Sequence, residues 1–196
     1  MSDEYLTLTG PSEGIYKEKG SRFYAFAAPV TTVAAAEAHV AEIGKKYHDA
    51  RHVCYAYRLG PSGEPWRAND DGEPAHSAGD PILNELKSRA LSDAVIAVVR
   101  YFGGTKLGVG GLIRAYGTAA ADALDHNTSQ PVLLTERVRI RFPYALTSEV
   151  NRIAHRFALK PAEADYGADC RLSYDIRRTQ AANVAAIFED LGILVR

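Results

Sequence analysis

The sequence predicts an α+β chain built as two domains, and three observations carry that expectation. Apolar residues recur in blocks, some at the two-residue spacing of strands and some at the three-to-four-residue spacing of helices. A polar, proline-ended stretch, His126-Asn127-Thr128-Ser129-Gln130-Pro131, separates two complete sets of such blocks and reads as a linker. The second set runs strand, helix, strand, strand, helix, strand, the order of a ferredoxin-like plait. The expected domains are residues 1–130 and 131–196.

In the first set, residues 15–19 and 22–30 read as strands around Gly20-Ser21. Thr31-Thr32 then offers a helix cap, and Val33, Ala36, Val40, Ile43 and Tyr47 follow on one helical face. Residues 52–59 form a strand rich in Val and Tyr. A long loop, 60–79, is dense in Gly, Pro and acids, and loops of that length are more often functional or mobile than incidental. Asp80-Pro81 marks a helix start, a capping acid followed by proline in the first turn, with Ile82, Leu83, Leu86 and Ala90 as the apolar face. Residues 94–99 are apolar throughout, as a central strand covered on both faces requires. A glycine-rich turn over 103–111 leads into a helix ending near Asp125, with Leu112, Ile113, Tyr116, Ala120 and Leu124 turned inward.

In the second set, residues 133–142 form a strand, and Leu146, Val150, Ile153, Ala154 and Phe157 mark a helix. Residues 161–166 and 170–176 are strands around Gly167. Val184, Ile187, Phe188 and Leu191 mark a second helix that Gly192 stops, before a short strand at 193–195.

Of the 196 residues, 46% are hydrophobic, ample for packed cores. The net charge of -1 conceals a split: residues 1–130 carry 13 Lys and Arg against 16 Asp and Glu, and residues 131–196 carry 10 against 8. No global charge draws the chain to nucleic acid or a membrane, so any basic site is a local patch. Cys54 and Cys170 sit in apolar runs and are expected to be buried free thiols, a usage that fits a reducing cytosol. Met1-Ser2-Asp3-Glu4 has no signal-peptide character, and no apolar run is long enough for a span. A cytoplasmic location is expected.

Four constellations can carry chemistry. The segment Arg100-Tyr101-Phe102-Gly103-Gly104-Thr105-Lys106-Leu107-Gly108-Val109-Gly110-Gly111-Leu112-Ile113-Arg114 follows a buried strand and opens a helix. Glycines let a backbone approach a ligand, and free N–H groups at a helix start attract anions. The expected anion site comprises Arg100, Gly103, Gly104, Thr105, Lys106, Gly108, Gly110, Gly111 and Arg114; the competing reading is a tight turn with close helix–strand packing. Val109 stands where a Walker loop needs Lys, and Ile113 replaces the last glycine of a dinucleotide fingerprint.

The second constellation is the acidic loop Asp70-Asp71-Gly72-Glu73, whose oxygens can bind a divalent cation or can cap turns and pair with arginines. Calcium-loop spacing is absent, so no metal is expected. The third, His52, Cys54 and His76, lacks a second Cys/His pair for zinc, and Cys54 lies among core-forming neighbours. No catalytic residue is assigned there, and no cofactor is expected.

The fourth is a row of arginines. Arg137, Arg139 and Arg141 alternate with Val138, Ile140 and Phe142, so the charges share one strand face. Helices cover one face of a plait, which leaves the arginines on the open face with Arg171. Asp175 is the near acid; Glu163 and Asp165 belong to a strand two spacings away and are not expected to compensate the row. Arg137, Arg139, Arg141 and Arg171 are the expected nucleic-acid contacts, with pairing to acids as the alternative.

Several of these motifs together resemble the IMPACT/YigZ family. They are Lys19-Gly20-Ser21-Arg22-Phe23, then Asp70-Asp71-Gly72-Glu73-Pro74, then Ala78-Gly79-Asp80-Pro81-Ile82-Leu83, and the run from Val99-Arg100-Tyr101-Phe102-Gly103-Gly104 to Arg114-Ala115-Tyr116. His76-Ser77 departs from the smaller residues of many relatives. The resemblance implies an N-terminal α/β sandwich like the second domain of a small-subunit ribosomal protein, a fold shared with sugar and mevalonate kinases. It also implies a C-terminal plait related to those of elongation factor G. Eukaryotic members regulate translation through the general-control kinase pathway. The function expected is therefore a nonenzymatic regulator or binding protein that acts on the ribosome, RNA or a translation factor. The alternative is an enzyme or sensor for a phosphorylated small molecule held at the glycine loop.

Overall fold

The computed structural model describes residues 3–196. By internal contacts the chain divides into a unit Tyr5–Val132 and a unit Leu133–Arg196 that also takes in Asp3 and Glu4.

The first unit contains strands β1 (Glu4–Leu8), β2 (Ser12–Glu18) and β3 (Ser21–Pro29), helix α1 (Val33–Lys46), strands β4 (His52–Arg58) and β5 (Trp66–Asn69), helix α2 (Gly79–Ser88), strand β6 (Ala94–Tyr101), helix α3 (Gly108–Asp125) and strand β7 (Ser129–Leu133). Five strands form a sheet in the order β2-β3-β6-β4-β5, with every neighbouring pair antiparallel. β6 occupies the centre, and its residues from Ala94 to Arg100 are all buried, because α1 packs on one face and α2 and α3 on the other. That explains its apolar run without polar alternation. Cys54, Ala56, Ile96 and Val98 point into the cluster with Ile82, Leu86, Leu112 and Tyr116. Thr32 caps α1, its side chain accepting from the Ala35 N–H.

Several sequence expectations change here. The stretch expected as a linker is structured: β7 pairs with β1 in a two-stranded ribbon. Asn127 Nδ2 donates to Gly10 O at 2.7 Å and Ser12 Oγ at 2.8 Å, so its polar side chain satisfies backbone and hydroxyl groups rather than facing water. The loop at 60–79 contains β5, which completes the sheet edge. Ile113 is 43% exposed instead of inward. α2 ends at Ser88, so Ala90 lies past it in a left-handed conformation with φ 52°.

The second unit holds β8 (Thr135–Pro143), a 3-10 turn, α4 (Thr147–Arg156), β9 (Pro161–Asp165), β10 (Asp169–Arg177), α5 (Arg178–Asp190) and β11 (Leu194–Val195). The sheet order is β11-β8-β10-β9, antiparallel throughout. This is the ferredoxin-like order, with the two central strands supplied by the first and third of the unit. Val138, Ile140 and Phe142 face α4 and α5 and pack with Val150, Ile153, Val184 and Phe188. Tyr174 and Phe188 stack with ring centroids 6.1 Å apart. Both cysteines are free and buried. Among the described residues no helix is long and apolar enough to cross a membrane.

Candidate functional site

The antiparallel register places Phe23, Arg100 and His52 side by side across β3, β6 and β4. They lie on the face that α2 and α3 cover, near the opening of α3. Arg100 is therefore an ionic group inside a core. Its Nη1 donates to Glu73 Oε1 at 2.6 Å, and the two side chains are only 9% and 4% exposed. The guanidinium carbon lies 5.7 Å from the ring centroids of both Phe23 and Phe102. Glu73 Oε1 also accepts from the Tyr116 hydroxyl at 2.7 Å, and that hydroxyl in turn accepts from the Cys54 thiol at 3.3 Å. Arg100 Nε is buried without a hydrogen-bond partner.

A buried pair of this kind fixes geometry because neither charge can leave it cheaply. Burial pushes the Cys54 thiol well above its ordinary value, with the nearby Glu73, Asp71 and Asp70 charges acting the same way. Burial likewise pushes up Tyr116. Cys54 is thus held as a neutral thiol, the opposite of what a nucleophile needs.

The acidic loop organises the same corner. Asp70 Oδ1 accepts from the N–H groups of Ala78 and Gly79 at 2.9 and 2.8 Å, and Oδ2 accepts from the His76 N–H at 2.9 Å. Burial acts to raise Asp70, and those three backbone donors outweigh it, so its carboxyl lies below the ordinary range. Asp70, not Asp80, therefore caps α2 from outside the helix. Asp80 instead sits in the first turn with His76 Nδ1 at 2.7 Å. Asp71 accepts from Val53 N–H at 2.7 Å. Every acid of the loop has a structural partner, and no group of ligating side chains among the described residues could hold a metal ion.

A cleft of about 500 Å³ opens beside the Arg100–Glu73 pair. Arg51, His52 and Asp49 form one wall; Lys106, Gly108 and Val109 form another. Asp49 accepts from the Tyr101 hydroxyl at 2.6 Å. That bond holds Asp49 below the carboxylate range and pushes the phenol up to about 12. Arg51 and Lys106 are exposed and make no ion pair among the described residues.

The expected anion site splits in two. Arg100, Lys106 and Gly108 line the cleft. Gly103 serves close packing: its N–H donates to Ser21 Oγ at 3.1 Å, and an added Cβ would sit 1.9 Å from Gly20 C. Gly111 is likewise tight, 2.9 Å from Leu107 Cβ. Gly104 and Gly108 have positive φ of 89° and 73°. Arg114 is exposed and not part of the cleft wall, as are Thr105 and Gly110. The N–H groups of Gly104, Thr105, Lys106 and Leu107 find no acceptor among the described residues, and no side chain caps α3. Arg51 was not picked out from sequence; its position next to His52, which pairs with Arg100, is the signal that register supplies.

The arginine row also departs from expectation. Arg137, Arg139 and Arg141 do share the open sheet face. Arg137 makes a two-pronged contact with Asp175 at 2.8 and 2.9 Å, and Glu163 Oε1 comes within 3.7 Å of its Nη1. The small Ser173, paired with both Arg139 and Glu163, lets long side chains meet above it, so two strand spacings do not separate them. Arg141 pairs with Asp169, the first residue of β10, opposite Pro143. Hydrogen bonding to these arginines holds Asp175 and Asp169 below the carboxylate range. Two of the four expected contacts are thereby engaged, while Arg139 and Arg171 make no ion pair among the described residues.

Fold and site together define a two-unit α+β protein whose first unit carries a cleft walled by Arg51, Lys106 and Gly108 beside a buried ion pair. Residues 19–124 match the Impact N-terminal domain, and the chain belongs to the IMPACT family. It is 30% identical over 192 residues to the IMPACT family member YigZ of Escherichia coli, covering 97% of this chain and 94% of that protein. It is 42% identical over 126 residues to YvyE of Bacillus subtilis, covering 64% of this chain and 58% of that relative's length. A crystal structure of a hypothetical protein covers 100% of this chain with a TM-score of 0.72 and 28% identity.

Proposed function

We propose that this protein is a nonenzymatic binding protein of the translation apparatus and that its cleft receives phosphate groups of RNA. The observation that carries this reading is the convergence of two cations without an ion pair, Arg51 and Lys106, with the acceptor-free backbone N–H groups of Lys106 and Leu107 at one cleft. Such groups are donors without acceptors, and phosphate supplies acceptors and charge together. The placement in translation rests on the family resemblance, whose eukaryotic members regulate it. Arg100 also lines the cleft, but Glu73 at its Nη1 already offsets its charge, so it is not counted among the available cations. The neutral, buried Cys54 supports binding over thiol chemistry.

The test uses the full chain against single-stranded RNA, ribosomes and a nucleotide panel. Replacing Arg51 and Lys106 with Gln should weaken RNA binding and flatten the plot of log affinity against log salt by about 1.4, two contacts at roughly 0.7 each. Unchanged affinity and slope would remove the cleft from RNA binding.

A second reading has its own support. The cleft volume of about 500 Å³ falls within the range of small-ligand pockets, and Leu107, Val109 and Leu112 give it apolar walls. A sensor for a phosphorylated small molecule is favoured if one nucleotide binds tightly and RNA does not.

A further inference from the structure

The open face of the plait sorts its arginines into two groups. Arg137 and Arg141 are engaged by Asp175 and Asp169. Arg139, Arg171 and Arg196 make no ion pair among the described residues, although Glu163, Asp165, Asp169 and Asp175 share the face. The three occupy adjacent strands. Arg139 and Arg196 are coupled through paired backbone bonds, Arg139 N to Arg196 O at 2.9 Å and Arg196 N to Arg139 O at 2.8 Å. Arg171 stands opposite Arg141 on β10. All three line one hollow of about 520 Å³, whose floor includes Ser173 and whose side is Leu194, 47% exposed.

Adjacent strands are about 4.8 Å apart and Arg171 is offset by two residues, about 7 Å, along them, so three like charges are gathered within roughly 12 Å. Asp175 and Asp169 also act on Arg139 and Arg171, and Asp165 and Glu163 line the same hollow, but none of the three cations is held in an ion pair among the described residues, as their two neighbours are. We infer that Arg139, Arg171 and Arg196 form a second phosphate-binding centre, and that its occupant is the backbone of single-stranded RNA. This deepens the RNA reading given for the cleft but stands on different residues.

Three features favour that occupant. The charge is complementary to a polyanion, and guanidinium groups take phosphate oxygens two at a time. The volume of about 520 Å³ is on the scale of a small ligand rather than of a duplex. Leu194 offers an apolar platform beside the cations, which suits a sugar or base face and has no counterpart in an acidic side chain. The face lacks aromatic rings, and unpaired guanidinium planes can stack on bases in their place. Arg137 and Arg141 then act as fixed rails, their acids keeping the row from repelling itself apart.

The experiment is carried out in the full chain with Arg51 and Lys106 already replaced by Gln, so that cleft binding does not mask the plait. Binding of oligouridylate is measured across a salt series, with oligoglutamate and duplex RNA as comparison ligands. Adding R139Q, R171Q and R196Q should lower oligouridylate affinity at least tenfold at low salt and reduce the salt slope by about 2, three contacts at roughly 0.7 each. D165N, which removes the acid directly across from Arg171, should raise affinity severalfold. Far-ultraviolet circular dichroism checks that the sheet is intact in each variant. The inference is overturned if the triple variant keeps the affinity and slope of its parent, if D165N leaves binding unchanged, or if oligoglutamate or duplex RNA binds as tightly as oligouridylate. Failure of the cleft reading looks different: Arg51 and Lys106 replacements alone change nothing, while the triad variants still do.

Discussion

Arg100 and Arg139 are the same residue type on the central strands of two antiparallel sheets, and they have opposite fates. Arg100 lies under two helices, between two phenyl rings, with a buried carboxylate as partner. Arg139 lies on a sheet face that no helix covers and has no acid partner. The helix cover decides this, because helices seal both faces of the first sheet and only one face of the second. Under helices an arginine must be matched or it destabilises the fold; in water it can wait for a ligand. The first unit spends its charge on geometry, and the second leaves charge available. Four sets of variants test this contrast.

Glu73→Gln is the strongest test. The amide oxygen still accepts from Tyr116, so the change isolates the loss of charge opposite Arg100. Breaking a buried pair by removing one partner destabilises by about 3–5 kcal/mol. Urea unfolding with wild type and variant at neutral pH should show a drop of that order. A loss below about 1 kcal/mol would make Arg100 energetically equivalent to a surface arginine and erase the contrast.

Gly103→Ala comes next. Its Cβ would meet the backbone of Gly20 and Ser21 at 1.9 and 2.1 Å, so the β3 turn or the loop must move. Overpacking of this kind costs about 1–3 kcal/mol, and the displaced loop should also weaken phosphate binding. Gly104→Ala meets nothing within 4 Å but has φ 89°, so it should cost less, about 1–2 kcal/mol for a side chain in that region. Thermal melts of the two variants give the order; the reverse order would mean that the loop, not the turn at Gly20, holds this corner.

The fold was legible in the sequence because its signals are local. Alternation along β8 assigned Val138, Ile140 and Phe142 to the core and the arginines to the open face, and the unbroken apolar run of β6 marked a strand covered on both sides. The glycine loop and its place before α3 were legible too. What escaped were pairings that only register creates. Glu73 meets Arg100 across 27 positions, and Asp169 meets Arg141 across 28. Asp70 caps a helix that starts nine residues later, where the sequence offers Asp80 at the conventional position. The β1–β7 ribbon joins segments more than a hundred residues apart, and its β7 half is too polar to announce itself as a strand. Function followed the same divide: the candidate residues were visible, and which of them were already engaged was not.

Asp70→Asn gives a smaller and pH-dependent effect. The amide keeps an oxygen for Ala78 and Gly79 but sets an NH2 donor where Oδ2 accepts from His76, a loss of about 1 kcal/mol. The folded carboxyl is depressed relative to an unfolded value near 3.9. Its contribution is therefore complete above that unfolded value and is lost as pH falls through the folded value. The stability gap between wild type and variant should be present at pH 7 and close progressively below about pH 4. A gap that persists unchanged in strong acid would mean that Asp70 acts through shape rather than charge.

The smallest effect on stability is expected on the plait, and there the comparison is sharpest. Arg137 holds Asp175 with two hydrogen bonds, whereas Arg139 has no acid partner. Both side chains face water, where ion pairs are screened and contribute little. Arg137→Gln and Arg139→Gln should each leave the melting temperature nearly unchanged at physiological salt. Their pH behaviour should differ. Hydrogen bonding to Arg137 depresses Asp175, so whatever that pair contributes is present above the unfolded carboxylate value and lost as pH falls through the folded one. Arg137→Gln should therefore remove a small acid-labile component that Arg139→Gln leaves intact. In binding, their order should reverse. Arg139→Gln removes an available cation, while Arg137→Gln removes one whose charge Asp175 already offsets. Salt slopes for oligouridylate should flatten by about 0.7 for the Arg139 variant and by less for the Arg137 variant. Equal slopes for the two would mean that the Asp175 contact opens on binding, so that the whole alternating row, and not its unpaired members, meets the polyanion.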